Sequence, residues 1–290
     1  MQPLLWDRRP DGLRAPALVC AFSGWNDAGD AASTALSFVS NALGAERFAV
    51  IDAEEFFDFS ATRPDVRLSE GRTREIVWPE TIVSAARVPK APRDLILLTG
   101  AEPSLRWRMY CQSVVDLAEA LGTQLVVTMG ALLADVPHTR PTGITGLASD
   151  DEMADRLGLN TATYEGPTGI VGVLHAACED AGIPSASLWA TVPHYVAAAP
   201  NPKAALALVR KLEGIVGVSV DASELETATV DYDRQVNLAV QSDPDVQAFV
   251  ERLEAAASGD AEPVDPGEMP SGDAIARDFQ RFLRQRGSGG

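Results

Sequence analysis

The chain has 290 residues, 46% of them hydrophobic and 22% charged, a composition typical of globular proteins that bury one large core. Its formal net charge of −17 argues against a nucleic-acid partner, because contacts with backbone phosphates require clustered Lys and Arg side chains. No apolar run approaches the ~20 residues that cross a bilayer, and the N-terminal residues lack the apolar stretch of a signal peptide, so we expect a cytoplasmic protein with no membrane partner.

Five short apolar runs, each bounded by turn residues, predict β-strands. They cover residues 17–22, 47–52, 94–99, 124–129 and 187–192. Because these runs are apolar along their whole length, we expect helices on both faces of the sheet. Helical patterns over residues 29–43, 105–121 and 168–181 lie between them, and each is followed by a glycine that can cap the helix end. The alternation predicts an α/β fold, a three-layer αβα sandwich with a mainly parallel sheet.

Two further strand-like runs, residues 74–78 and 81–88, interrupt this alternation. Only Pro79 and Glu80 separate them, so no helix can lie between them. We therefore predict an antiparallel hairpin at this point, which makes the sheet mixed rather than purely parallel.

The composition changes after a predicted helix over residues 202–216. Residues 221–290 carry 15 acidic and 6 basic side chains, which is far more acidic than the preceding part. We therefore predict two regions: an αβα core over residues 1–220 and an acidic, partly helical C-terminal extension over residues 221–290.

Within the extension, residues 231–257 have the pattern of helices interrupted at Asp243-Pro244. Residues 258–272 are rich in Gly, Pro, Asp and Glu, a composition typical of a flexible linker. Residues 275–283 then predict a short final helix.

The cysteines and histidines indicate neither a disulfide framework nor a metal site. Cys20, Cys111 and Cys178 are odd in number and have no CxxC spacing, so we expect small buried thiols. The histidines match no HExxH or HxH pattern. No GK[ST] phosphate loop is present either, so we predict no metal and no cofactor.

The loop after the first predicted strand, Ser23 to Asp30, is the strongest candidate for function. Ligands of parallel sheets collect beyond the carboxyl ends of the strands, and this loop also leads into a helix. Two interpretations stay open. Either Asp27 or Asp30 caps the helix while Trp25 packs on the surface of the core, or one carboxylate contacts a ligand.

Other candidate residues follow the other predicted strands. His138 and Arg140 lie in a long Pro/Gly-rich loop, where His138 can titrate near neutrality and Arg140 can bind a carboxylate or phosphate. The alternative for this loop is a surface that closes an oligomer interface. His194 follows a strand and is expected to be a packing residue rather than a base. The candidate cleft or interaction residues are Ser23, Trp25, Asn26, Asp27, Glu102, His138, Arg140, Glu165 and His194.

No catalytic residue can be assigned from these patterns. The chain has no GxSxG nucleophile elbow, and Trp25 and Asn26 break the elbow pattern that Ser23 would require. A triad of Ser23, His194 and Asp27 is therefore disfavoured.

Four segments together resemble the proteasome assembly chaperone 2 family, in its actinobacterial branch. They are FSGWNDAG at residues 22–29, TGAEP at 99–103, PTG at 141–143 and YEGPTG at 164–169. The resemblance covers about residues 1–220 and implies a phosphorylase/hydrolase-like αβα fold and a homo-oligomer, with a trimer as the expected form. Its eukaryotic members chaperone proteasome α-subunits. The resemblance therefore implies protein partners, with proteasome subunits as candidates.

Two functions follow as hypotheses. The first is a non-enzymatic assembly or protein-interaction factor, which the resemblance and the missing catalytic signature favour. The second is an enzyme or small-ligand binder, of hydrolase, phosphorylase or ligase type, that uses the cleft at the strand ends. The chain has only three lysines, none in a glycine-rich loop, which argues against an ATP-grasp ligase. We therefore expect a binding protein rather than an enzyme.

Overall fold

The computed structural model describes residues 3–69, 73–159, 166–196 and 199–258, and everything below refers to these ranges. The strands are β1 (Leu4–Trp6), β2 (Ala17–Ser23), β3 (Glu46–Ile51), β4 (Asp65–Ser69), β5 (Thr73–Val77), β6 (Thr81–Ala86), β7 (Leu95–Ala101), β8 (Leu125–Ala134), β9 (Ile144–Ala148) and β10 (Ser185–Pro193). The α-helices are α1 (Ala31–Ala42), α2 (Trp107–Ala120), α3 (Asp151–Leu157), α4 (Ile170–Asp180), α5 (Pro202–Val216), α6 (Ser223–Gln241) and α7 (Pro244–Ser258).

Eight strands form one mixed sheet in the order β1-β3-β6-β7-β2-β8-β10-β9. The central neighbours β7, β2, β8 and β10 pair in parallel, and the outer pairings are antiparallel. As a result β3, β7, β2, β8 and β10 all point the same way, which confirms the predicted mainly parallel, mixed sheet. We call the side of the sheet where these five strands end the strand-end edge.

Helices cover both faces of the sheet and create two apolar clusters, as the uninterrupted apolar strands predicted. Alternate residues of β2 enter opposite clusters: Val19 packs in the one that contains residues of α1 and α5, and Leu18 in the one that contains residues of α2 and α4. All of β2 from Ala17 to Phe22 is buried. The αβα sandwich therefore has β2 at its centre, with its final residue at the strand-end edge.

The predicted hairpin between residues 74–78 and 81–88 is wrong. β5 instead pairs antiparallel with β4 in a separate two-stranded ribbon. β6 enters the main sheet between β3 and β7 and is antiparallel to both. Burial explains the difference, because Val83 of β6 is fully buried between two neighbours whereas Ile76 of β5 is 47% exposed.

The helix ends follow the sequence closely. Gly44, Gly122 and Gly182 follow α1, α2 and α4 with positive φ angles of 61°, 66° and 67°, the left-handed conformation that glycine adopts at little cost. Cys20, Cys111 and Cys178 are buried and free, and burial raises the pKa of the Cys111 and Cys178 thiols to about 12.

The two C-terminal helices pack against the rest of the chain. The predicted break at Asp243-Pro244 is confirmed, since α6 ends at Gln241 and α7 begins at Pro244, although α6 begins earlier than predicted. Val236 of α6 and Phe249 of α7 form a third apolar cluster with Tyr195, which follows β10. The predicted linker beyond Ser258 and the predicted helix over 275–283 lie outside the described residues. Within the described ranges, no helix has the length and apolarity needed to cross a membrane.

The central place of β2 gives a direct test of the sandwich. Leu18→Ala removes a fully buried side chain, and we expect it to lower the free energy of unfolding by about 2–5 kcal/mol. The matched control is Leu238→Ala on α6, where the side chain is 52% exposed and the expected change is within ~0.5 kcal/mol. Chemical denaturation of both variants measures the difference, and equal midpoints would contradict the two-faced burial of β2.

Candidate functional site

The loop between β2 and α1 combines buried polar residues with one exposed aromatic ring. Asn26 is 1% exposed and Asp27 is 4% exposed. Trp25, which directly precedes them, is 69% exposed. This contrast divides the loop into an inner part that holds the structure together and an outer part that faces solvent.

Glu102 connects the inner part of this loop to two other elements. The Asn26 side-chain amide donates to Glu102 Oε1 at 2.6 Å, and the Ile170 N–H donates to the same oxygen at 2.8 Å. Glu102 follows β7, and its own N–H donates to the Ser23 carbonyl at 2.8 Å. Because Ile170 opens α4, the carboxylate also lies at a helix N-terminus, where negative charge is favourable. One side chain thus holds the ends of β2 and β7 and the start of α4.

The backbone of Asn26 fixes the loop to the other neighbouring strand. The Ala131 N–H donates to the Asn26 carbonyl at 2.8 Å, and Asp27 forms a parallel bridge with Ala131. The pairing of β2 with β8 therefore resumes in the loop, directly after Trp25.

Asp27 caps α1, so the capping interpretation is confirmed for this residue. The accompanying prediction that Trp25 packs on the surface of the core is wrong, because Trp25 is 69% exposed and belongs to none of the apolar clusters. The Ala32 N–H donates to Asp27 Oδ1 at 2.6 Å, and the Ser33 N–H donates to Oδ2 at 3.2 Å. Burial raises the pKa of the Asp27 carboxyl above its ordinary value, although the hydrogen bonds from Ser33 and Ala32 oppose this shift. Both oxygens are thus engaged by the first turn of the helix.

Gly169 allows α4 to approach this loop. A Cβ atom at residue 169 would lie 2.2 Å from Asn26 Oδ1 and 2.5 Å from its Nδ2. The Asn26 amide and any side chain at 169 therefore cannot occupy the same space.

Asn201 is a further residue of this region that the sequence patterns did not single out. Its N–H donates to the Gly29 carbonyl at 2.7 Å, and its side-chain oxygen accepts from the Ala204 N–H at 3.0 Å. Asn201 therefore caps α5 and fixes the loop from the opposite face. The sequence did contain a signal for this cap, because Asn followed by Pro is a typical helix start.

Besides Trp25, four other exposed apolar side chains lie at or just after the ends of strands at the strand-end edge. Leu105 and Met109 follow β7 and are 48% and 37% exposed, while Leu132 and Leu133 at the end of β8 are 39% and 43% exposed. β7 and β8 are the two neighbours of β2, the strand that precedes Trp25. We call these five residues the Trp25 surface. Exposed apolar side chains that gather at one edge of a sheet are candidates for an interaction site.

His138 joins the loop that follows β8 to Tyr195 and to α6. The Tyr195 hydroxyl accepts from the His138 N–H and donates to Nδ1, both at 2.7 Å, and His138 Nε2 donates to Asn237 Oδ1 at 3.1 Å. These contacts assign the neutral imidazole with its proton on Nε2. Lys203 donates to the His138 carbonyl and pairs with Asp233 of α6 at 3.1 Å.

The remaining candidates also have structural partners or lie outside the described residues. Arg140 donates to Ser258 Oγ at 2.7 Å, at the end of α7. His194 pairs with Asp135 at 3.0 Å and so does not join Ser23 and Asp27. Glu165 lies outside the described residues. Ser23, Trp25, Asn26, Asp27 and Glu102 therefore come together, while His138, Arg140 and His194 do not join them.

The part of the chain that the structure describes has no group of three His, Cys, Asp or Glu residues that could hold a metal ion. The site therefore consists of a rigid polar base and an exposed apolar top. Such an arrangement is suited to holding an aromatic anchor in a fixed position for a macromolecular contact.

Comparison with known proteins agrees with this fold. The sequence profile of the PAC2 family matches residues 21–240, which include the Trp25 loop, Glu102 and most of α6. The chain therefore belongs to the PAC2 family. A comparison with curated proteins finds no match.

Two solved structures illustrate the relationship. A PAC2 family protein from Streptomyces avermitilis is 47% identical, with a TM-score of 0.76 over 81% of this chain and 99% of that chain. A proteasome-assembly chaperone homologue from Mycobacterium tuberculosis is 41% identical, with a TM-score of 0.75 over 81% of this chain and 99% of that chain. An archaeal proteasome activator from Pyrococcus furiosus, 17% identical with a TM-score of 0.66 over 82% of this chain and 98% of that chain, shares the fold.

The close approach at Gly169 predicts an unusual sensitivity to one methyl group. We expect Gly169→Ala to lower the free energy of unfolding by about 1–3 kcal/mol, because Asn26 must give up its position. Gly214→Ala is the matched control, since a Cβ there meets nothing within 4 Å and the residue lies inside α5, where alanine stabilises by about 0.4–1 kcal/mol. Thermal or chemical unfolding measures the change in stability of both variants, which should be a loss for Gly169→Ala and a gain for Gly214→Ala. A loss of stability in both variants would contradict this account.

The buried His138 predicts a pH-dependent stability. Burial lowers its pKa below the ordinary value of 6.5, and Lys203 acts in the same direction against the Asn237 hydrogen bond and the Asp233 and Glu254 charges. Below about pH 6.5 the unfolded state therefore binds more protons than the folded state. The stability that His138 contributes above that pH is lost as the pH falls. We expect the stability difference between the wild type and His138→Asn to be largest near pH 7.5 and to shrink towards pH 5, by at most ~1.4 kcal/mol per pH unit.

Denaturation curves at several pH values measure this difference. His175 has a lowered pKa from its own burial, so both proteins retain some acid sensitivity. A difference between the wild type and the variant that stays constant with pH would contradict a neutral, buried His138.

Proposed function

We propose that this PAC2 family protein is a proteasome-assembly-chaperone-like factor that binds protein partners, with proteasome α-subunits as the expected class. It acts through the Trp25 surface and without catalysis. The relationship to a proteasome-assembly chaperone homologue supports the partner class, since that protein is 41% identical over nearly its whole length.

One observation carries the proposal: the polar side chains of the loop are used internally while its aromatic ring is exposed. Asn26 and Glu102 bond to each other, and both oxygens of Asp27 cap α1. Trp25 is left 69% exposed on this rigid base. Catalytic carboxylates require access to a substrate, whereas a rigidly mounted aromatic ring is the typical anchor of a protein interface.

The chemistry around Trp25 also suits a protein partner. Tryptophan, methionine and arginine are enriched in interfaces, and Arg106, Arg108 and Met109 lie at the start of α2, after β7. Arg106 pairs with Glu55, and both arginines are exposed. A partner that offers an apolar pocket with an acidic rim would fit this surface.

The remaining features of the proposal concern assembly and location. We propose a cytoplasmic homo-oligomer, with a trimer as the expected form, and a core over residues 1–220 with an acidic extension. The β4–β5 ribbon supports self-association, because Val66, Leu68 and Ile76 are 55%, 67% and 47% exposed and share one face by strand register. Two-stranded ribbons are marginally stable alone, so contact with another copy would stabilise this one.

A pull-down against purified proteasome α-subunits tests the proposal. We expect Trp25→Ala to reduce capture about tenfold or more, since loss of an anchoring tryptophan typically costs about 2 kcal/mol or more of binding free energy. Val230→Ala is the control, because Val230 is similarly exposed at 67% but lies on α6. This control should capture as the wild type does.

Two outcomes would contradict the proposal. Equal capture by wild type and Trp25→Ala would exclude the Trp25 surface. No capture of α-subunits beyond that of an unrelated acidic αβα protein would exclude the partner class, and thermal stabilisation by nucleotides or small acids would then favour a ligand-binding function.

A further inference from the structure

We infer that residues 232–258, which we call the clasp, detach from the rest of the chain when His138 takes up a proton, while the αβα core stays folded. The clasp consists of the second half of α6 and all of α7. Three features of the structure support this acid-released device: the separate apolar cluster of the clasp, the place where its polar contacts converge, and the hydrogen bonds of His138. The release does not depend on which partner the Trp25 surface binds.

The clasp has an apolar cluster of its own. Val236 of α6 and Phe249 of α7 pack there, and the core contributes Tyr195 and Val196, which directly follow β10. Of the residues described, those of the clasp belong to neither main cluster of the sandwich, whereas Leu225 near the start of α6 does. The clasp can therefore open locally and leave both main clusters in place, as sub-global openings of native proteins do.

Polar contacts fix the clasp to three consecutive residues of the loop after β8. Each of residues 138–140 donates one side-chain hydrogen bond to the clasp. The acceptors are Asn237, Glu254 and Ser258, at 3.1, 2.6 and 2.7 Å respectively. A change at His138 thus acts at the point where the clasp is attached.

Lys203 of α5 strengthens the same attachment point. Its ammonium donates to the His138 carbonyl and pairs with Asp233 of α6 at 3.1 Å. The loop after β8, α5 and the clasp are therefore joined around the backbone of His138.

The hydrogen bonds of His138 suit only the neutral ring. The Tyr195 hydroxyl oxygen accepts from the His138 N–H, and the hydroxyl proton is donated to Nδ1, both at 2.7 Å. A proton on Nδ1 would make this acceptor a second donor towards the same oxygen. The hydroxyl proton would then lose its partner on a residue that is 1% exposed, which is unfavourable in a buried position.

The charged groups that face His138 come from three helices. Burial lowers the pKa of His138 below its ordinary value of 6.5, and Lys203 of α5 acts in the same direction. The Asn237 hydrogen bond and the charges of Asp233 on α6 and Glu254 on α7 oppose this shift. When the clasp opens, the ring reaches solvent and regains its ordinary pKa, so the open state binds a proton that the closed state excludes. Opening is therefore favoured as the pH falls below about 6.5.

A thiol buried under the clasp tests the inference in the full chain. Val236→Cys places it in the apolar cluster of the clasp, where Val236 is 2% exposed. Val230→Cys is the matched control on the same helix, because Val230 is 67% exposed and gives the rate of a freely accessible thiol at each pH. The natural Cys20, Cys111 and Cys178 are buried in the core and report on its opening. The measurement is the rate of labelling by dithiodipyridine from about pH 7.5 to about pH 5, with mass spectrometry to assign each labelled cysteine.

We expect labelling of Val236→Cys, relative to Val230→Cys, to speed up by as much as about tenfold for each pH unit below 6.5, as coupling to one proton requires. His138→Gln in the same background should remove this pH dependence, since glutamine does not titrate. The other two histidines of the chain supply the controls, and His175→Gln and His194→Gln should keep the pH dependence.

Three outcomes would overturn the inference. The first is a labelling ratio that does not change with pH, and the second is a pH dependence that survives in His138→Gln. The third is labelling of the natural cysteines in step with Val236→Cys, because the core would then be unfolding as well. His138→Gln that labels at the accessible rate at every pH, with the natural cysteines still protected, would support the inference, since the clasp would then be open throughout.

Discussion

The arrangement of the site depends on one carboxylate oxygen. Glu102 Oε1 accepts from the Asn26 amide and from the Ile170 N–H, and these two bonds join the ends of two central strands to the start of α4. Hydrogen bonds to a charged acceptor in a shielded position are among the stronger ones in proteins. With Asn26 fixed in this way, its carbonyl accepts from the Ala131 N–H and extends the pairing of β2 with β8. Trp25 directly precedes Asn26, so the same hydrogen bonds fix the backbone from which its ring projects.

This constraint explains why polar residues at a strand-end edge need not form a reactive centre. In a parallel sheet the strand ends are the usual place for ligands, and Asn26, Asp27 and Glu102 lie there as expected. Asp27 and Glu102, however, accept from backbone N–H groups at the starts of α1 and α4, and the Asn26 amide donates to Glu102. The exposed chemistry of the edge is instead apolar and aromatic, which is the chemistry of a protein interface.

The sequence was informative where local patterns decide the structure. β2 could be predicted because burial on both faces requires an uninterrupted apolar run. A carboxylate cap could also be predicted, but the sequence did not decide between Asp27 and Asp30. The partner of β5 could not be predicted, because the choice between β4 and β6 depends on which strands the main sheet accepts. The role of His138 was equally hidden, since its partner Asn237 lies 99 residues away in the chain.

The central claim is that Trp25 and its neighbours form the partner-binding surface, and hydrogen–deuterium exchange of the full chain with and without a proteasome α-subunit tests it most directly. The account predicts that the partner slows exchange in residues 23–27 and 130–134. It also predicts unchanged exchange in residues 121–124, which precede β8 at the opposite edge of the sheet. Protection confined to α6 and α7, with the Trp25 loop unaffected, would contradict it.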